Sequence, residues 1–349
     1  MTDALRGMGV SVLTTPIWEF FRSLDGVYEA VHEPEWQSEQ ERQSEQKVVG
    51  YFRENNVQLV HMNTRFAGLL GARVARTLRV PYLYHIREFL AEDFGLAFKD
   101  EQLAQELIGG ADSLIAISQS VREHLNLEYP SSTVRLIYNG VDIDKYRFQA
   151  PQRCAGPVIR LAIVGRVVEH KGQLDAIKAI QALPDEVRTK VQLNIVGYRP
   201  DEITPYEQFL IDYVNEHSLE HAVRFVPFTN DVPLLLRDFD IGLMCSSKEA
   251  FGRVTVEYML SRLLVIGSAS GGTAEIISHG RNGLLYQAGD HEDLASQITN
   301  AINDPDSTRS MISTAYEDAI AQFSASLNAL NVYNVYREVL QSRASAPTI

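Results

Sequence analysis

The chain has 349 residues, of which 45% are apolar and 22% charged, and a net charge of −13. That length and composition fit a globular protein of two domains with two buried sheets, and the acid excess argues against nucleic acid as the main partner. No apolar run approaches the ~20 residues of a membrane span, and MTDALRGMGVSVL lacks the basic start and apolar block of a signal peptide. Cys154 and Cys245, far apart in sequence, read as reduced thiols of a cytoplasmic protein.

In chain order, residues 1–9 read as the end of a helix closed by Gly7 and Gly9. Val10–Thr14 reads as a short strand, and residues 35–56 as a polar helix whose charge run is a solvated face. Strands are expected at Val57–Met62, Pro81–His85, Leu114–Ile117 and Val134–Tyr138. Helices are expected at Thr64–Leu78, near Leu103 and at Gln119–Leu127. Strands alternating with helices imply a parallel sheet covered on both faces. Gln149–Pro157 is a Pro/Gly-bounded linker, after which the rhythm restarts. The second set of strands is Ile159–Val164, Val191–Val196, Val223–Val226, Ile241–Met244, Leu263–Gly267 and Gly283–Tyr286. Its helices are Asp175–Leu183, Phe209–His217 and three near 292–303, 309–321 and 327–342. The domains are therefore drawn as 1–150, 151–325 and a closing helix at 326–349, with a ligand cleft expected between two Rossmann-like α/β domains.

The stretch Ser246–Glu257 carries the most chemistry. An apolar strand leads into a turn bearing Glu249, a Phe251-Gly252 pair and a helix with Glu257 one turn in. Strand, loop and helix N-terminus form an anion site. Carboxylates on either side suit hydroxyl groups, and phosphate plus hydroxyls is what a nucleotide sugar presents. Gly165 ends the strand Ile159–Val164 and opens a loop with Arg166 and Lys171, two cations suited to a diphosphate. The bland alternatives are a surface loop with two solvated cations, and a Glu257 that only complements the helix dipole. The absence of GxGxxG counts against an ordinary dinucleotide oxidoreductase.

The longer run EAFGRVTVE, LLVIG, SASGGTAEII, HGRNGLLY resembles a family-4 glycosyltransferase, a retaining enzyme of the GT-B fold. The resemblance covers nearly the whole chain and is strongest over 159–290. Glu249 and Glu257 match its Glu-x7-Glu pattern, Arg166 and Lys171 its phosphate-binding cations, and Gly271, Gly272 and Glu275 its Gly-Gly-x-x-Glu turn. Asn139–Asp142 matches its linker-side motif, and ADSLIAIS the strand before it. The resemblance implies that Glu249 holds donor-sugar hydroxyls beside the amides of Phe251 and Gly252. The amides of Val254 and Thr255 would then meet a phosphate, and Glu257 the ribose. Arg166 and Lys171 would stabilise the leaving diphosphate. Backbone around Tyr198 and Val226 would meet the base, and His85 the donor sugar. Arg87, Glu88 and Asp93 are candidates for the acceptor side, and the strand-end reading is preferred for His61. The resemblance implies no metal or other cofactor, and a nucleotide sugar of the UDP-hexose class as co-substrate. The acceptor would be a glycan or lipid-linked hydroxyl in polysaccharide assembly.

Arg65, Arg73, Arg76 and Arg79 share one arc of a helix, read either as a solvated face or as a patch for anionic lipid, with peripheral contact at the inner membrane face. Family members open with a strand and glycine-rich loop before the segment that here reads RGMGVSVLT. Without them the first sheet is expected to expose a central edge. Three alternatives stand beside the transferase: a truncated nucleotide-sugar-binding protein or partner subunit, a GT-B epimerase, and a metal-dependent transferase using Asp142–Asp144 or Asp238–Asp240. The last is disfavoured, because one triplet lies in the linker motif and the other precedes a buried strand.

Overall fold

The computed structural model describes residues 2–15, 21–23, 34–147 and 156–345. The chain divides into two compact units, Met1–Ile137 with Asn331–Ile349, and Tyr138–Leu330. Most of the linker 149–157, with Cys154, lies outside the described residues.

In the first unit, parallel strands run in the order Val60–Met62, Tyr82–Ile86, Ser113–Ala116, Val134–Leu136. Every residue of the two middle strands is buried, which is why both read as mainly apolar runs, with His85 and Ser113 as the polar exceptions, rather than alternating ones. On one face, Leu83, Ile115 and Ile137 pack against Val332, Val335 and Val339 of the last helix, Ala325–Ser345. Those valines recur at helical spacing and form one stripe. A separate antiparallel pair joins Phe21–Ser23 to Leu96–Phe98.

The expected strand Val10–Thr14 does not form. Residues 10–15 have no regular structure, and Val10 and Leu13 are exposed. β-Branched alternation suits a strand but does not make one without a ladder partner, and among the described residues none pairs with it. Val60–Met62 is accordingly one edge of the sheet among those residues.

In the second unit, six parallel strands run in the order Leu284–Tyr286, Leu264–Ser268, Ile241–Met244, Ile159–Val164, Val191–Tyr198, Val223–Pro227. The chain builds outward from Ile159–Val164 to one edge, then returns to Ile241–Met244 and builds the other way. The switch point of an open α/β sheet lies between those two strands, and ligands bind beyond the carboxyl ends there. The two strands pair only at Ile241↔Leu161 and Gly242↔Ala162. Beyond that, the buried Tyr258 hydroxyl bridges the fork. It accepts from Val164 N–H at 2.9 Å and lies 3.3 Å from Ala162 O and 3.4 Å from Leu243 O. Tyr258 thereby pins the helix Arg253–Leu260 to the switch point.

The Asn139–Asp142 motif belongs to this unit. Val141 N–H bonds Phe323 O at 2.8 Å, and Asn328 Nδ2 donates to Tyr138 O at 2.7 Å. No helix among the described residues is long and apolar enough to cross a membrane.

Candidate active site

Two loops meet at the switch point. The first, after Ile159–Val164, carries Gly165, Arg166 and the single turn Glu169–Lys171. The buried Gln173 holds it by donating Nε2 to Arg166 O at 2.8 Å. The second runs from Ser246 to Gly252, the left-handed N-cap of Arg253–Leu260. Ser247 N–H ties the loops together through His170 O at 3.1 Å.

Across them Lys171 Nζ meets Glu249 Oε2 at 2.6 Å, with both side chains mostly shielded from solvent. His170 shows the local field: burial first, then the charges of Lys171 and Arg166, hold its pKa below the ordinary value. Arg166 itself is exposed at the mouth. A cation pair beside a helix N-terminus is a favourable environment for a diphosphate.

The remaining donor-side candidates support this loop or face it. Gly272 N–H donates to Glu249 O at 2.8 Å, and a Cβ on Gly272 would come within 2.5 Å of Phe251 Cα and O. Only glycine lets the helix Gly271–Ile276 approach the loop so closely. Glu275 sits on this same helix. The Phe251 ring packs between Tyr138 and Phe323, at centroid distances of 6.0 and 5.7 Å. Of the amides at the helix start, Thr255 N–H is already taken by Gly252 O at 2.9 Å. Of the expected Val254 and Thr255 pair, the Thr255 amide is therefore engaged within the turn.

A cavity of about 240 Å³ opens beside this loop pair, lined by Gly165, Arg166, Gly197, Phe228, Val254 and Glu257 among others. Glu257 is buried and accepts from Arg253 Nε at 2.9 Å and from the Tyr146 hydroxyl. Burial pushes its pKa up, with Arg253 and then Tyr146 opposing that rise. Tyr198 and Val226 flank the cavity rather than line it. The Tyr198 carbonyl is taken by Phe228 N–H at 2.9 Å, and Val226 pairs with Val196 in the sheet. Arg199, whose guanidinium lies 5.7 Å over the Phe228 ring, and Thr229 line it in their place.

The candidates of the first unit gather at the carboxyl ends of its strands. His85 is 1% exposed and stacks on His61 with ring centroids 5.4 Å apart and planes 18° from parallel. His61 Nδ1 is hydrogen-bonded to the Tyr336 hydroxyl, and Arg87 Nη2 lies 3.4 Å from His85 Nδ1. Both Nε2 atoms are buried without a partner among the described residues, and a buried donor left so costs about 1–3 kcal/mol. Burial first, then Arg87, holds His61 down at about 4. Burial, Arg87 and then His61 hold His85 down at about 2.

Arg87 also donates to Asn63 Oδ1 at 2.9 and 3.1 Å. Glu88 is buried and does structural work instead, accepting from Arg65 and Arg87 N–H at 3.1 Å each. Asp93 accepts from Phe89 N–H at 2.8 Å, an internal turn contact. The arginine arc is not a free cationic face. Arg65 is buried between Glu88 and Glu128, and Arg73 and Arg76 pair with Glu45 and Glu106.

Neither Asp-x-Asp triplet gathers a metal site. Asp142 caps a short turn, Asp144 pairs with Arg147, and Asp240 accepts from Arg160 N–H. Among the described residues no group of three or more His, Cys, Asp or Glu side chains is arranged to hold a metal ion. Cys245 is a buried free thiol.

Two family models match the chain: Glycosyltransferase Family 4 over residues 6–145 and Glycosyl transferases group 1 over residues 148–318. The chain belongs to the group 1, family 4 glycosyltransferases. It is 24% identical to N-acetyl-alpha-D-glucosaminyl L-malate synthase of Bacillus anthracis, with 84% of this chain and 78% of that one covered. It is 26% identical to alpha-maltose-1-phosphate synthase of Mycolicibacterium smegmatis, covering 80% and 79%. Among solved structures it resembles Anabaena HepE in complex with UDP, at 27% identity, a TM-score of 0.75, and coverage of 84% and 82%. The same protein in complex with UDP-glucose gives 26% identity, a TM-score of 0.72, and coverage of 86% and 82%.

The glycosyltransferase thus has two parallel-sheet units of the GT-B type. Sequence reasoning missed several residues at its sites: Tyr146 and Arg253 on Glu257, Arg199 and Phe228 on the cavity, and Asn63 and Tyr336 around the histidines. Arg253 stands four residues before Glu257 on one helix, a spacing that could have found it; the others carry no local signal, since each reaches its place through the tertiary fold. His61, expected as an ordinary strand-end histidine bonded to backbone, is instead stacked and held by a side chain from the last helix.

Proposed function

We propose that this glycosyltransferase is retaining and metal-independent, and that it moves a hexose from a UDP-sugar to a hydroxyl of a glycan or lipid-linked acceptor in polysaccharide synthesis. The observation that carries the reading is the Lys171–Glu249 ion pair at the switch point of the second sheet. It puts a cation for phosphate and a carboxylate for sugar hydroxyls side by side at a helix start. The UDP and UDP-glucose complexes of the Anabaena relative support the choice of donor.

In this reading the diphosphate lies against Lys171, Arg166 and the amide of Val254. Glu249 orients the sugar, Glu257 accepts from the ribose, and the base enters the cavity beside Arg199 and Phe228. His85 donates to the sugar. The acceptor oxygen attacks C1 on the face the phosphate leaves. The C1–O bond to the phosphate breaks, and the acceptor proton passes to the departing phosphate oxygen. The anomeric configuration is kept, and Arg166 and Lys171 neutralise the charge that develops. The chain works in the cytoplasm, and contact with the inner membrane face comes through a lipid-linked acceptor rather than through the paired arginines. Incubation with UDP-hexoses in a chelator, read by proton NMR of the anomeric signal, should give the α-product from an α-donor. The β-product would refute retention.

Glu257 separates stability from function. Its folded pKa is raised above the unfolded value, so its proton-linked contribution to stability is present below the unfolded pKa and fades as pH rises through the folded one. At neutral pH the buried charge is therefore a liability. Glu257→Gln should leave Tm unchanged or slightly raised at pH 7, while UDP affinity falls about tenfold. Titration calorimetry and a thermal melt on the same variant check both.

A further inference from the structure

The strands Val60–Met62 and Tyr82–Ile86 are paired in parallel with His61 beside Leu83. His85 is two residues beyond Leu83, so both histidines project from the same face of the sheet. That is the face covered by the last helix through Val332, Val335 and Val339. The same helix supplies the Tyr336 hydroxyl, which bonds His61.

The hydrogen-bond network assigns the protons. Arg87 can only donate, so His85 Nδ1 is an acceptor and His85 carries its proton on Nε2. Phenol is a better proton donor than neutral imidazole, so the Tyr336 O–H points at His61 Nδ1, and His61 also carries its proton on Nε2. Two stacked imidazoles, His85 buried and His61 half-buried, therefore present two buried N–H donors, neither used within the described residues.

We propose that Tyr336 and His61 are positioning residues for His85. Tyr336 fixes the tautomer and rotation of His61, and the His61 ring, stacked on His85, holds the His85 Nε2–H donor in place for an oxygen of the sugar. This rests on the reading that His85 meets the donor sugar. The charged and titratable groups facing the pair are Arg87 on the strand end, Tyr336 on the helix, and Glu88, whose charge acts on Arg87. Burial first, and then Arg87, opposes protonation of either ring, so both remain neutral donors through the ordinary assay range.

Tyr336→Phe keeps the ring and its packing and removes only the donor to His61. Nitrogen-15 NMR of the imidazoles should show wild-type His61 and His85 both as Nε2–H tautomers. In Tyr336→Phe the His61 signals should move toward a mixture, with Tm changed little. With the best UDP-sugar, kcat should fall about tenfold or more at a nearly unchanged donor KM, as expected when a reacting contact is loosened rather than removed. Val339→Ala, a packing change on the same helix, should lower Tm and leave the His61 tautomer and kcat alone.

An active wild type whose Tyr336→Phe variant keeps full kcat overturns the proposal. So does an Nδ1–H tautomer at His61 in the wild type. If the wild type transfers no sugar, the functional reading fails separately. The tautomer pair then decides the positioning claim alone: loss of the fixed His61 tautomer in Tyr336→Phe upholds it, and an unchanged tautomer overturns it.

Discussion

Replacing Lys171 by Ala should lower kcat by about a hundred- to a thousandfold, the range seen when one charge-stabilising group at a developing anion is removed. The ground for so large an effect is placement. Nζ lies 2.6 Å from Glu249 at the carboxyl end of the switch-point strands, beside the helix start that would receive a phosphate. Stability should change little, because a part-exposed ion pair contributes about 1 kcal/mol or less. Glu249, left without its cation, would also repel the diphosphate, so donor affinity should fall together with turnover. Lys171→Arg is the informative companion. It restores charge but not the compact ammonium, and should recover part of the loss. Steady-state kinetics with thermal melts on all three proteins would separate the effects. Near-normal kcat in Lys171→Ala would remove Lys171 from the chemistry.

Gly197→Ala should be the most damaging single methyl near the donor cavity. Gly197 has φ +122°, and a Cβ there would sit 1.9 Å from Gly165 O. The backbone strain and the overlap each amount to about 1–3 kcal/mol, so a loss of ~3 kcal/mol or more is expected. Relief can come only by pushing the Gly165–Arg166 turn away from Val196, whose carbonyl accepts from Gly165 N–H at 3.0 Å. That displaces Arg166 from the phosphate position proposed for it and deforms the cavity wall. UDP binding should therefore fail even in protein that remains folded below its lowered Tm. Binding of UDP at wild-type affinity would show that the turn does not form the donor site.

How far the sequence revealed this depended on where the information lay. The second sheet was legible because its strands are largely apolar, and two of them, Ile241–Met244 and Leu264–Ser268, are buried on both faces. Ile159–Val164 and Ile241–Met244 were bounded correctly to the residue, as apolar runs closed by Gly165 and by Cys245-Ser246. Helix starts were read late where the cap was overlooked. The helix expected at 209–217 begins at Pro205 behind a Thr204/Glu207 capping box, and the one expected at 309–321 begins at Pro305 behind Asp304.

The loop pair could be recognised because its glycines and charges are consecutive in sequence. Which groups would neutralise which could not. Glu88 stands in HIREFLAEDF as a candidate for the acceptor side, yet it is buried on Arg65, an arginine of the arc read as either a solvated face or a lipid patch. The strand at Val10–Thr14 failed for the opposite reason, since its local propensity was real but no ladder partner completed it among the described residues.

The most direct test of the donor site is a thermal-shift series of the purified chain against UDP, GDP, ADP and their sugars, in chelator and without added metal. A ligand at a hundred times its Kd stabilises by about 2.7 kcal/mol, enough to move Tm by a few degrees. The site described here predicts that UDP and one UDP-hexose raise Tm in chelator, that Lys171→Ala weakens the shift and that Gly197→Ala abolishes it. No shift from any nucleotide or nucleotide sugar would contradict the assignment of the switch point in the second unit as the donor site.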